Sequence, residues 1–184
     1  DYNRLTFSYN ASDSINVILK GIIEKGDHVI TSNVEHNSVL RPLNHKVEEG
    51  EIEVSYLPFK DKGYLEPDDV KKAFKKNTKL VVINHASNVL GTVQPIAEIG
   101  KYCREAGILF VIDASQSAGV IDIDMQAMNL DVVCFTGHKC LILVEDVKLR
   151  AGTGFAISLW RQNFKKKKTM KLFIPLIFLL ISLS

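Results

Sequence analysis

The stretch Lys79–Gly119, "KLVVINHASNVLGTVQPIAEIGKYCREAGILFVIDASQSAG", decides the fold. It reads as a strand, a helix and a second strand. The runs "LVVI" and "ILFVI" are apolar on both faces, as strands in the middle of a sheet are. Between them "PIAEIGKYCREAG" has the pattern of an amphipathic helix and stops at a glycine. Strands that alternate with helices of this length form a mostly parallel sheet with helices on its faces.

The alternation continues outward on both sides. "LTFSYN" reads as a strand, followed by the helix "SDSINVILKGIIEKG", with Ile15, Ile18, Leu19, Ile22 and Ile23 on one face, Ser12 as its N-cap and Gly26 as its stop. "HVITS" and "IEVSYLP" are further strands. "EPDDVKKAFKKNT" is a helix with Pro67 and two aspartates in its first turn and lysines toward its end, which suits the helix dipole. A short amphipathic turn near "DMQAMN" leads to the strand "DVVCFTG". The α/β pattern spans Leu5 to about Phe135, and its regularity fails after Lys139.

Composition narrows the function classes. A chain of 184 residues that is 46% hydrophobic is long enough for one sizeable core, so one domain is the default. The net charge of +2 comes largely from the run Lys165–Lys168, and no basic groove with interleaved aromatics appears. Nucleic acid is therefore not an expected partner. Cys103, Cys134 and Cys140 make neither a paired framework nor a CxxC, which fits a reduced, cytoplasmic setting, with Cys103 and Cys134 as small core residues. No secretory leader is read at the N-terminus, and a start at Asp1 implies that an initial segment is missing or processed. The tail Leu172–Ser184 is almost wholly apolar but shorter than the roughly 20 residues that span a bilayer. A membrane partner is not expected.

In a parallel α/β sheet, ligands sit beyond the C-terminal ends of the strands. Polar groups gather there: Ala11 and Ser12 after the first strand, His36 after "HVITS", His85 and Asn88 after "LVVI", Asp113 and Gln116 after "ILFVI", and Thr136, His138 and Lys139 after "VVCF". A helix start with free N–H groups and a hydroxyl suits a phosphate. A lysine at the rim can form a Schiff base with an aldehyde. An aspartate after a buried strand can pair with a protonated ring nitrogen, and an imidazole can stack on a flat ring. Phosphate, aldehyde and pyridinium together describe pyridoxal 5'-phosphate (PLP). Singly, each residue has a plainer explanation: Ser12 as a cap, Asp113 as the cap of a turn, Lys139 as a solvated lysine. His85 is read as an ordinary loop histidine. No metal-ligand pattern is read.

The motifs "YNASDSIN", "VEHNSVLRP", "VVINHASNVLGTVQPIAEIG", "FVIDASQSAG" and "FTGHK", in this order, resemble those of class V aminotransferase-fold enzymes, and most of all the cysteine desulfurase and selenocysteine lyase group. The resemblance covers Leu5 to Lys139. It implies part of the large domain of a fold type I PLP-dependent transferase, working as a homodimer. Such an enzyme takes sulfur or selenium from cysteine or selenocysteine, leaves alanine, and hands sulfur to an acceptor protein. Lys139 is then the Schiff-base lysine and the base for the α-proton, and Asp113 holds the ring nitrogen protonated. His36 stacks on the ring, and Gln116 and Asn88 contact the ring hydroxyl or the substrate side. Ser12, Thr136 and His138 hold the phosphate together with the backbone of Ala11 and Ser12. The family more often has threonine where Ser12 stands.

The resemblance also has an edge. The family follows its lysine with a glycine-rich turn and another strand, of which "GTG", Gly152–Gly154, keeps a trace. The family's carboxylate-gripping arginine and persulfide-forming loop cysteine have no counterpart, and Cys140 is not at the nucleophile position. Expected, then, are a cofactor-binding unit over 1–139, a divergent continuation over 140–164 and a Lys-rich apolar tail over 165–184 outside the fold. The expected function is that of a truncated desulfurase-like enzyme, weak or inactive alone, with an uncovered sheet edge that invites aggregation. Two rivals are another class V aminotransferase or lyase, and a non-catalytic product tethered to a membrane by its tail.

Overall fold

The structure, a computed structural model, describes residues 4–60, 63–137, 139 and 156–160. His138, Cys140 and the tail lie outside the described residues. In chain order the elements are β1 (Leu5–Ser8), α1 (Ala11–Ile22), β2 (His28–Ser32), α2 (Asn37–Glu48), β3 (Glu53–Leu57), α3 (Pro67–Lys72), β4 (Thr78–Asn84), α4 (Ile96–Ala106), β5 (Leu109–Asp113), β6 (Val132–Thr136) and β7 (Ala156–Trp160).

The strands form one sheet in the order β1-β7-β6-β5-β4-β2-β3. From β3 through β6 all neighbours are parallel. The stretch read first from the sequence is thus the centre: Leu80 pairs with Leu109 and Asn84 with Asp113. The chain runs β2 to β3 in one direction across the sheet and then returns through β4, β5 and β6. Right-handed crossovers place the connecting helices on opposite faces when that direction reverses, and α1 packs on α2 while α3 packs on α4.

Each face has its own core, set by the two-residue alternation of the strands. Val29, Val82, Val111, Val132 and Cys134 face Ile15, Ile18, Leu19, Ile22, Val39 and Leu43 from α1 and α2. Ile30, Val81, Ile83, Phe110, Ile112, Val133 and Phe135 face Val70, Ile96, Ile99 and Cys103 from α3 and α4. Each such side chain removed from water contributes about 1.5–3 kcal/mol before entropy is charged.

The structure corrects four readings. Ser12 is not the cap of α1: Asn10 is, its side chain accepting the Asp13 N–H at 2.8 Å, which places Ser12 inside the first turn. The helix read over "EPDDVKKAFKKNT" ends at Lys72, because Thr78 N–H and Lys75 N–H close a turn at 75–78 that launches β4. The sequence reading assigned no helix to "NSVLRPLNHKVE", where α2 forms around Pro42. Proline lacks the N–H that would bond the carbonyl four residues back; that carbonyl, on Ser38, instead lies 3.5 Å from Asn16 Nδ2 of α1. Finally, the sheet does not stop at the strand "DVVCFTG", the last one read from the sequence, since β7 lies antiparallel between β6 and β1.

Candidate active site

Strand alternation that builds the α1/α2 core also selects the polar ends. Two residues beyond Val82, Val111 and Cys134, on the same face, stand Asn84, Asp113 and Thr136. The starts of α1 and α2 lie over this face. The result is a cavity of about 150 Å³ lined by Asn10, Ala11, Ser12, His36, Ser38, Asn84, Asn88, Asp113, Ser115, Gln116, Thr136 and Lys139. Eight of the sequence-derived site residues are therefore brought together: Ala11, Ser12, His36, Asn88, Asp113, Gln116, Thr136 and Lys139. The ninth, His138, lies outside the described residues.

At the mouth of α1, Asn10 takes up Asp13 N–H with its side chain and Ser14 N–H with its carbonyl. The N–H groups of Ala11 and Ser12 have no intrahelical partner, as first-turn groups do not, and point of origin and helix dipole both favour an anion there. Ser12 and Thr136 supply hydroxyls to the same cavity.

Asp113 is almost fully buried, and its Oδ1 accepts from Ser115 N–H at 2.9 Å and Ser115 Oγ at 2.5 Å. It is thus both the turn cap of the plainer reading and a wall of the cavity. His36 caps α2: Nδ1 accepts the Ser38 N–H at 3.1 Å and lies 2.8 Å from Ser38 Oγ. An accepting Nδ1 assigns the ring proton to Nε2. Lys139 is exposed at the rim, and so is Asn88 in the loop after β4.

His85 does not line the cavity. It is buried, its Nδ1 lies 2.8 Å from Ser117 Oγ, and burial lowers its pKa. It is a core histidine rather than a loop one. Cys103 is buried and free, and desolvation, aided by Asp131, pushes its thiol up to about 12, so it is no nucleophile at neutral pH.

The sequence reading missed Asn10, Ser38, Asn84 and Ser115. Asn84 was within reach, because it ends the same strand face as Val82 and precedes the "HASN" turn. Also missed was Glu35, next to His36. It is buried, its Oε1 accepts from Ser32 Oγ at 2.6 Å, and Asn84 N–H also donates to the carboxyl.

Comparison with known proteins agrees with this fold. The profile of the family "Aminotransferase class-V" matches residues 1–142, and the chain belongs to that family. Among its relatives, a cysteine desulfurase IscS from Dictyoglomus turgidum is 38% identical over 141 residues, 74% of this chain and 36% of the relative. A mitosomal cysteine desulfurase from Encephalitozoon cuniculi is 41% identical over 145 residues, 76% of this chain and 33% of the relative. A solved structure described as SspA in complex with cysteine superposes with a TM-score of 0.75 at 36% identity, covering 86% of this chain and 44% of that one. The chain thus spans about a third of the length of the curated relatives it matches. Among the described residues no helix is long and apolar enough to cross a membrane.

Proposed function

We propose that the chain forms the cofactor-holding part of a PLP-dependent, cysteine desulfurase-like enzyme that removes sulfur or selenium from cysteine or selenocysteine and leaves alanine. One observation carries this: a helix start, two hydroxyls, a buried aspartate, a histidine and an exposed lysine line a single cavity. That donor set fits PLP group by group. When bound, PLP supplies an aldehyde for covalent attachment and a ring that withdraws electrons from the substrate.

The chain's own residues then divide the work. Ala11 N–H, Ser12 and Thr136, joined by His138, would hold the phosphate. Asp113, steadied by Ser115, would accept the ring N–H and favour the protonated ring. The His36 imidazole would lie against the ring face, and Asn88 and Gln116 would offer amides to the ring hydroxyl or the substrate. Lys139 Nζ would hold the cofactor and, once displaced by the substrate amine, take the proton from the substrate α-carbon. Its exposed position leaves it open to an incoming amino acid.

Cysteine as substrate is supported by the relatives' names and by the cysteine complex among the similar structures. A homodimer, a sulfur-acceptor protein and a cytoplasmic setting complete the reading. Over 140–184 we propose a continuation and a tail that do not contribute to the cofactor site.

The test is titration of the chain with PLP, followed by assay on cysteine, selenocysteine and aspartate. A visible absorption band in the wild type that Lys139→Ala lacks is expected. With a reducing thiol such as dithiothreitol in the assay to supply the two electrons, turnover, where found, should give sulfide or selenide with alanine. Identical spectra for the two proteins would overturn the assignment of Lys139, and release of a keto acid would move the enzyme to another branch of the family.

A further inference from the structure

Glu35 is the buried acid that the proposed chemistry leaves unused. It lies between β2 and α2, one residue before His36, and its Oε2 is buried without a hydrogen-bond partner. Its neighbours come from three strand ends. From β2, Ser32 Oγ donates at 2.6 Å. From β4, Asn84 N–H donates, and Asn84 pairs in register with Asp113. From β5, the Asp113 carboxyl acts on it as a like charge. His36, next along the chain, engages Ser38 through Nδ1.

We propose that Glu35 is a positioning residue of the cleft: its carboxyl ties the loop carrying His36 to the ends of β2 and β4, behind Asp113, so that the partners of the cofactor's ring face and ring nitrogen are held as one unit. The inference rests on the PLP reading given above. Without this tie, His36 is held by its helix cap alone, while Asp113 is fixed in the middle of the sheet. A loop anchored at only one point would let the two drift apart.

The environment gives the tie a signature. Burial, with Asp113 adding to it, raises the Glu35 pKa to about 7, against the opposing hydrogen bonds from Ser32 and Asn84. Between the ordinary value of 4.5 and about 7 the folded chain keeps a proton at Glu35 that the unfolded chain has lost. Stability therefore falls as the pH rises through that window. A neutral isostere, Glu35→Gln, keeps an acceptor for Ser32 and Asn84 and abolishes the pH effect, whereas Glu35→Ala removes the tie.

The experiment uses the full chain in three measurements. In cofactor-free protein, amide exchange over residues 33–40 should quicken about five-fold or more in Glu35→Ala, leave α4 unchanged, and stay near wild type in Glu35→Gln. PLP affinity should fall by a similar factor in Glu35→Ala and be restored in Glu35→Gln. Between pH 5 and 7 the folding equilibrium of wild type should weaken relative to Glu35→Gln by about 40-fold. Unchanged exchange in Glu35→Ala overturns the tie, whether or not PLP binds. Faster exchange with unaltered PLP affinity overturns the cleft role. A wild type that takes up no PLP overturns the cofactor reading and the cleft role together, with exchange still reporting on the tie. Should Glu35→Ala fail to fold, Ser32→Ala, which removes one of the two anchors, replaces it.

Discussion

His28 has no exposed surface, yet its ring sits between two hydroxyls, with Nδ1 2.8 Å from Thr78 Oγ1 and Nε2 2.8 Å from Ser55 Oγ. It thereby links three neighbouring strands, β3, β2 and β4, at the end opposite the cavity. Burial lowers its pKa, with Lys75 adding to the effect and Glu53 opposing it. The folded chain thus binds fewer protons here than the unfolded one below the ordinary value of 6.5. The stability that His28 contributes is complete above that value and is lost as the pH falls. In urea titrations, the advantage of wild type over His28→Gln should shrink from pH 7.5 to 5.5; Glu35 cancels in the difference. A gap that is constant or widens at low pH would contradict this. At this scale the sequence was informative about the rim and poor about the interior. Asp113 and His36 were legible because each stands at or shortly after the end of a strand. Glu35 and His28 were not, because their burial depends on strand order, which periodicity does not reveal.

At the scale of elements, α1 separates capping from the lining of the cavity. Asn10 satisfies the first turn, and Ser12, two residues further on, is left to face the cavity. Asn10→Ala should cost about 1 kcal/mol of stability. Ser12→Ala should stay within about 0.5 kcal/mol of wild type while weakening PLP binding. Equal losses of stability from both would mean that Ser12 shares the cap. In α4, Gly100 meets the loop before β6 so closely that an added Cβ would lie 2.0 Å from the Met128 carbonyl oxygen. Gly100→Ala ought to gain helix propensity, yet it should destabilise by about 1–3 kcal/mol, as read from the urea midpoint. A stabilised variant would show that the helix and loop can part without loss. α1 and α4, whose extents were legible, have an unbroken apolar face, and α3 was legible from Pro67 and the aspartates of its first turn. α2 was hidden by Pro42 and by a histidine cap, because its stability comes from packing Val39 and Leu43 on α1 rather than from local preference.

For the whole molecule, the parallel centre and its two helical layers followed from the apolar runs and the helices between them. β7 did not. Its five residues, "AISLW", lie beyond a stretch with no regular pattern, and what fixes them is pairing with β6 on one side and β1 on the other. Such non-local pairing is invisible to a window of sequence. The cavity was legible for a different reason: its residues fall at successive strand ends, and a parallel sheet must bring those ends to one rim.

The most direct test of that rim as a PLP site is to mix the chain with PLP, reduce with borohydride and map the modified peptide. The account predicts a single dominant adduct on Lys139, sharply reduced in Asp113→Ala. An adduct spread over exposed lysines such as Lys20 and Lys101, with Lys139 unmodified, would contradict it.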